Sequence, residues 1–495
     1  MMPGGRVLLG RAGNGAGWGR SPYGPSESFP ELQPGMTGDN ALYAAVRTVV
    51  AGLGFDSGRF GTPAWNPFRD LAPPGGCIVV KPNLVRHYHG SGGSLATVVS
   101  DPRIIRAVAD YAVAAVAPDG EVIIADSPLQ SCDLNRLRRE MALDELMAAV
   151  ARDGVKVSLM DFRREQVAKR ADGLLGRRTP LSGDPAGYAA IDLGGDSALG
   201  PLSGDPSRFR ITQYDPGITA RHHQALRHEF LIPRSLLRAD LVISLPKIKT
   251  HRKAGMTGAL KNLVGINGSK AWLPHHRHGS VREGGDEYLH PSWRKRWLRR
   301  IWEKIDRTPS LPLRRILRRA DNLLRDSGRV VPFPDPYFEG SWWGNLTMPA
   351  MVSDLNRIFR YADGDGRIHD TPRRRMLVIA DGVLAGEGEG PLEPAPRELG
   401  VILGGCNPVA VDWVAATLMG FDPWKIPCLT RPLEPHRLPL VDFSPADLEV
   451  ADAHAPAALS TLMELAATVA RPFSAATGWA GHVEAAPGRS AVRAS

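Results

Sequence analysis

Short apolar runs alternate with longer stretches of helical pattern along most of the chain. Residues 77–80, 121–125, 155–160, 241–245, 376–380 and 400–403 are the apolar runs, with a further candidate at 6–10. Their brevity and their Val and Ile content predict buried strands. Residues 41–53, 101–116, 135–151 and 409–419 read as helices, the third clearly amphipathic. Asp101 followed by Pro102 marks a helix start, because Asp caps free backbone N–H groups and Pro fits the first helical position. Strand and helix in alternation imply a parallel sheet with crossovers.

The expected fold class is therefore α/β, a mainly parallel sheet with helices on both faces, plus a basic helical insertion. Residues 1–40 are rich in Gly, Pro and Ser and predict an irregular N-terminal segment. The core is expected in two parts, 41–285 and 376–450, separated by the insertion at 286–375. Residues 170–220 lose the rhythm and predict hairpins or an inserted loop. From 451 the chain is Ala-rich, which predicts a helix and then, over the last twenty residues, a disordered tail.

The stretch LVISLPKIKTHRKAGMTGALKNLVGINGSK, 241–270, changes character abruptly. A buried strand is followed by Lys247, Lys249, His251, Arg252 and Lys253, then by small residues, then by a helical run carrying Lys261 and Asn262. A strand feeding cations into a glycine-softened helix start suits an anion, since free N–H groups and the positive helix end face the ligand. CIVVKPNLV repeats the plan with Lys81 and Asn83. Lys81, Asn83, Lys247, Lys249, Lys261 and Asn262 are thus candidate ligands of an anionic small molecule, with His251 placed to move a proton. The alternative for each lysine is a solvated surface position.

Three runs end in acid, at Asp126, Asp161 and Asp381. Ligand crevices of open α/β sheets lie at the carboxyl ends of strands. Asp126 and Asp381 are accordingly candidate catalytic groups and candidate ligands of a divalent cation; the alternative is that they cap the next turn. GVLAGEGEGPLEP after Asp381 predicts a flexible binding loop. YADGDGRIHDTP fails as a calcium loop, because Tyr361 and Pro372 would fall at its first and twelfth positions. His87 and His89 have a usable metal-ligand spacing, which keeps a metal-dependent redox or isomerase activity open as an alternative.

Charge changes the picture in one place. The net charge of +9 equals the excess over 289–329, where 13 Lys and Arg face 4 Asp and Glu. The rest of the chain is near neutral, so nucleic-acid binding is not expected of it. This basic segment predicts two short helices broken at Pro309 and Pro312. Trp293, Trp297, Ile301 and Ile305 recur every four residues, so the helices either pack on the body as a lid or contact an anionic membrane. No run approaches the roughly 20 apolar residues of a membrane span. The N-terminus has no secretory pattern. The cytoplasm is the expected location, with the inner face of the membrane as the alternative. Four cysteines without a CxxC pair leave no iron–sulfur motif.

Taken together, IVVKPNLV, SDPRIIRAVADY, VIIADSP, ADLVISLPKIKTH, GALKNLVGI, DGVLAGEGEGP and NPVAVDWVAATLMG resemble the family called DUF362, a domain of unknown function. Some of its members carry iron–sulfur cluster motifs that this chain lacks, so the resemblance implies no redox role here. WWGNLTMPAMVSDLNRIFRYADGDG, in the insertion, resembles relatives encoded with surface-polysaccharide genes. The expected function is an enzyme acting on a phosphorylated or carboxylated small molecule. The alternative class is a non-catalytic binding or membrane-recruited accessory protein.

Overall fold

In the computed structural model, residues 4–13, 17–32, 38–152, 154–169, 175–212 and 214–486 are described. An eleven-stranded mixed sheet forms the centre. Its strands are β1 (Arg6–Arg11), β2 (Cys77–Pro82), β3 (Glu121–Asp126), β4 (Lys156–Asp161), β5 (Leu241–Leu245), β6 (Lys247–His251), β7 (Gly255–Thr257), β8 (Arg375–Glu389), β9 (Glu393–Gly405), β10 (Glu449–Asp452) and β11 (Ala455–Ser460). The order is β11-β10-β1-β9-β8-β5-β2-β3-β4, with β6 beside the far half of β8 and β7 beside β6. Strands β8, β5, β2, β3 and β4 run parallel. The α/β expectation holds.

The continuous apolar runs have a simple cause. Successive strand residues point to opposite faces, and both faces are covered. Val79, Ile123 and Val242 enter one buried cluster, with helices Thr347–Tyr361 and Pro408–Leu418. Ile78, Val80, Ile124 and Ile243 enter the other, with helices Leu42–Gly52 and Pro102–Val116. Asp101 caps the latter helix through the Arg103 N–H, with Pro102 in its first turn, as the sequence predicts.

Several elements differ from expectation. The helix expected over 135–151 is two, Leu134–Glu140 and Leu143–Val150, broken where Ala142 adopts φ of 47°. The cationic run after Leu245 is strand β6, not a helix approach. The expected loop after Asp381 is a hairpin made by the continuing β8 and β9. Its glycines serve close approach rather than flexibility: a Cβ on Gly386 would lie 2.7 Å from Pro394 Cβ and 3.0 Å from Lys249 Cβ. The Ala-rich stretch opens as the β10–β11 hairpin, and its helix is only Leu462–Ala467. Ala476, Trp479 and Val483 are buried, so the expected tail disorder fails there; 487–495 lie outside the described residues.

The basic segment forms two helices, Trp293–Arg307 and Leu311–Val330, longer than expected. Pro309 lies between them, whereas Pro312 sits in the first turn of the second, where it breaks nothing. The later part of 286–375 is core: every residue of Thr347–Tyr361 except Arg360 is buried.

Candidate functional site

The candidate lysines and aspartates do meet, and two of the lysines are consumed by two of the aspartates. Lys81, at 0% exposure, places Nζ 2.8 Å from Asp126 Oδ1 and 3.1 Å from Asn262 Oδ1. The Asp126 carboxylate also accepts the N–H groups of Leu84 and Ser127. Gly265 makes room for this pair, since a Cβ there would collide with Asp126 Oδ1 and Lys81 Nζ. On strand β6, Lys247 Nζ lies 2.8 Å from Asp381 Oδ2, which also accepts the Asp101 N–H. Asp381 itself sits mid-strand and is 0% exposed.

Lys81 and Lys247 are therefore not free clamps, and Asp126 and Asp381 are not open metal ligands. Their lone pairs go to ammonium and backbone donors, as burial of charge demands. His87 and His89 do not form a joint metal site either. His87 Nδ1 accepts the Asp133 N–H, while His89 bonds Gly93 N–H through Nδ1 and the Pro394 carbonyl through Nε2. Among the described residues no three His, Cys, Asp or Glu side chains gather as a metal site.

Beside these pairs opens a cavity of about 210 Å³. Strand β6 contributes Lys249 and His251, and the turn to β7 contributes Arg252 and Lys253. The short helix Ala259–Asn262 brings Lys261 and Asn262, and the chain beyond it brings Lys270 and His275. Asn83 and Asp126 line one side; Val85, Leu129, Ile211 and Leu273 supply apolar wall. Of the sequence-predicted residues, Asn83, Asp126, Lys249, His251, Lys261 and Asn262 thus converge on one space, while Lys81, Lys247 and Asp381 stand behind it.

Asn262 holds the helix in place, donating to the Lys81 carbonyl at 3.1 Å and to Ser244 Oγ at 2.9 Å. The helix start is not an anion cradle. Asp412 accepts the N–H groups of Ala259 and Leu260, the latter at 2.9 Å, so a protein carboxylate occupies the donors expected for a ligand. What faces the cavity is side-chain charge.

These lysines lack carboxylate partners within bonding distance among the described residues. Lys249 Nζ bonds the Val98 carbonyl, Lys270 Nζ the Val264 carbonyl at 3.3 Å, and Lys253 Nζ is 3.5 Å from Thr212 Oγ1. Burial pulls Lys261 down to about 8, with Lys81 adding repulsion and Cys428 opposing it. Burial likewise brings Lys253 to about 8, against the pull of Glu339, and Lys270 to about 7, against that of Asp126. Lys249 falls well below the usual lysine range through burial and the Lys247 and Lys261 charges. A bound anion would reverse each of these shifts.

The two histidines are complementary. His251 Nδ1 accepts the N–H groups of Lys253 and Ala254, so its proton resides on Nε2 as a donor. His275 Nδ1 lies 2.8 Å from the Leu273 carbonyl, which only accepts, so its Nε2 keeps a lone pair. Burial first, and lysine charge next, hold both well below the usual imidazole value, so both are neutral. The expectation that His251 moves a proton sits poorly with this tautomer; His275 has the free base. The Thr257 hydroxyl, buried without a hydrogen-bond partner, also lines the cavity. Lys253 stands in the cationic run read from the sequence but not among its candidate ligands; Lys270, His275 and Thr257 were not legible as site residues. Lys270 ends the 241–270 stretch, but no spacing rule links it to Lys261.

Residues 203–417 match the family model described as "Domain of unknown function (DUF362)". Over that stretch the chain is similar to the DUF362 family. The match includes β5 to β8 and runs through the stretch 286–375; the KPN segment and Asp126 precede it. No curated protein matches the chain. Among solved structures, a crystal structure of a Thermotoga maritima protein from the Northeast Structural Genomics Consortium is similar at 10% identity and a TM-score of 0.31. The alignment covers 74% of this chain and 56% of that one, so the chain spans a little over half of its length.

Proposed function

We propose that this protein is an enzyme acting on an anionic small molecule, phosphorylated or carboxylated, held in the Lys249–Lys253–Lys261–Lys270 cavity. One observation carries the reading: four lysines and Arg252 line a single small space whose one lining carboxylate among the described residues, Asp126, is already bonded to Lys81. Cations gathered without counter-charge are costly in the empty protein and favourable around an anion. The apolar wall suits a carbon skeleton attached to the anionic group. His251 Nε2–H donates to an anionic oxygen, and His275 Nε2 accepts a proton from the reacting group.

The roles expected for Lys81, Lys247, Asp126 and Asp381 become supporting ones. They fix strand ends β2 and β3 and the β6 segment from which Lys249 and His251 project. The test is thermal unfolding with a panel of sugar phosphates, nucleotides, acyl phosphates and dicarboxylates. At least one class should raise the midpoint saturably, and Lys261→Met or Lys270→Met should weaken that binding at least about tenfold. Binding of every class that is indifferent to both substitutions removes the cavity from the proposal.

A further inference from the structure

The helices Trp293–Arg307 and Leu311–Val330 reverse in part the partition that their composition implies, although Leu298 and Ile305 of the first are buried. On the first, Lys295 and Arg299 are buried while Trp293 is 65% and Trp297 52% exposed. The buried cations are well used: Lys295 Nζ bonds Asp335 and the Tyr337 carbonyl, and Arg299 bonds Glu287 and His276 Nε2. The two tryptophans lie one turn apart and so share a face. On the second helix, Ile316, Leu323 and Val330 are 62%, 73% and 85% exposed. Their seven-residue spacing makes one stripe, flanked by the exposed Arg315, Arg319 and Arg329.

Large apolar side chains turned to water, with cations between them, fit a surface that is anionic on top and apolar beneath. A nucleic acid would meet the arginines but leave the Ile316–Leu323–Val330 stripe unmatched. We infer that this helical pair docks in the plane of an anionic lipid bilayer. Trp293, Trp297 and the aliphatic stripe enter the headgroup boundary, and the arginines meet lipid phosphates. Among the described residues no helix is long and apolar enough to cross a membrane, so the contact is interfacial. Arg299, through His276, ties the pair to the chain that carries His275 into the cavity. The docking stands apart from the proposed cavity chemistry and survives its failure.

The experiment is vesicle flotation of the full chain. The protein should rise with phosphatidylcholine vesicles containing about 30% phosphatidylglycerol, stay down with phosphatidylcholine alone, and be released in large part by about 1 M salt. Trp293→Ala with Trp297→Ala, and separately Arg315→Glu with Arg319→Glu, should each lower the partition coefficient at least about tenfold. Both pairs are exposed, so thermal midpoints close to that of the wild type are expected, with any partner of Arg315 contributing little at the surface; if one pair unfolds the protein, the other decides. Failure of the wild type to float, or flotation of both variants like wild type, overturns the docking. Retention on a DNA oligonucleotide that matches the vesicles and ignores the tryptophans reassigns the face to a soluble polyanion. A dimer abolished by the tryptophan substitutions reassigns it to a second copy.

Discussion

Lys81 and Lys247 differ from Lys249, Lys261 and Lys270 in a way that decides what each can do. The first two have a buried carboxylate at 2.8 Å; the last three bond carbonyls or no protein acceptor among the described residues. A sequence shows both sets as lysines near strand ends, so the candidate list mixes them. The part that lines the cavity, Lys249, Lys261 and His251, was legible because small residues and cations crowd one segment. The pairing was not legible, since Asp126 lies 45 and Asp381 134 positions from its partner. Breaking a buried pair leaves an uncompensated charge. Lys247→Met should therefore lower unfolding free energy by about 3–5 kcal/mol in urea titration. Adding Asp381→Leu should recover only part of it, because the Asp101 and Val383 N–H groups then lose their acceptor. Anion binding by the folded fraction of these variants should weaken less than that of Lys261→Met/Lys270→Met, since Lys247 and Asp381 position β6 without lining the cavity.

Elements place these side chains, and their placement depends on few contacts. The helix Ala259–Asn262 has four residues and no intrinsic stability. Asp412 at its start and Asn262 at its end hold it against helix Pro408–Leu418 and strands β2 and β5. Asp412→Ala should cost about 2 kcal/mol, as two buried N–H groups lose their acceptor. It should also weaken anion affinity about fivefold or more by displacing Lys261, and Asp412→Asn should restore part of both. Local pattern sufficed for the parallel strands and their helices, whose runs match burial on both faces. It failed for the β8–β9 hairpin, where Gly382 and Gly386 imitate a loop while serving close packing against Ile248 and Lys249. It failed again at β10 and β11, where pairing of β10 with β1 and of β11 with β10 overrides the helical preference of an Ala-rich stretch.

For the whole molecule, the uncompensated lysines should appear as a pH dependence. Lys253 and Lys261 near 8 and Lys270 near 7 lie below the ordinary value of 10.5. Between those values the unfolded chain binds more protons than the folded one, so stability rises with pH. The penalty is full below about 7 and is relieved as pH climbs towards 10. The thermal midpoint of the wild type should therefore gain on that of Lys261→Met/Lys270→Met as pH falls only if an anion is present. Without one, the variant should gain on the wild type as pH falls from about 9.5 to about 7. Sulfate, a dianion throughout this range, is the suitable probe.

If the cavity holds lysines awaiting an anion, binding of an anion must be accompanied by proton uptake. Sulfate is titrated calorimetrically near pH 8 in two buffers of different ionisation heat, into wild type and into Lys261→Met/Lys270→Met. Saturable binding to one site is expected, with net proton uptake by the wild type, because the bound anion raises the lysines it contacts. The double variant should bind at least about tenfold more weakly. Sulfate heats that are the same in both buffers and in both proteins, or no binding to the wild type, would contradict that reading of the cavity.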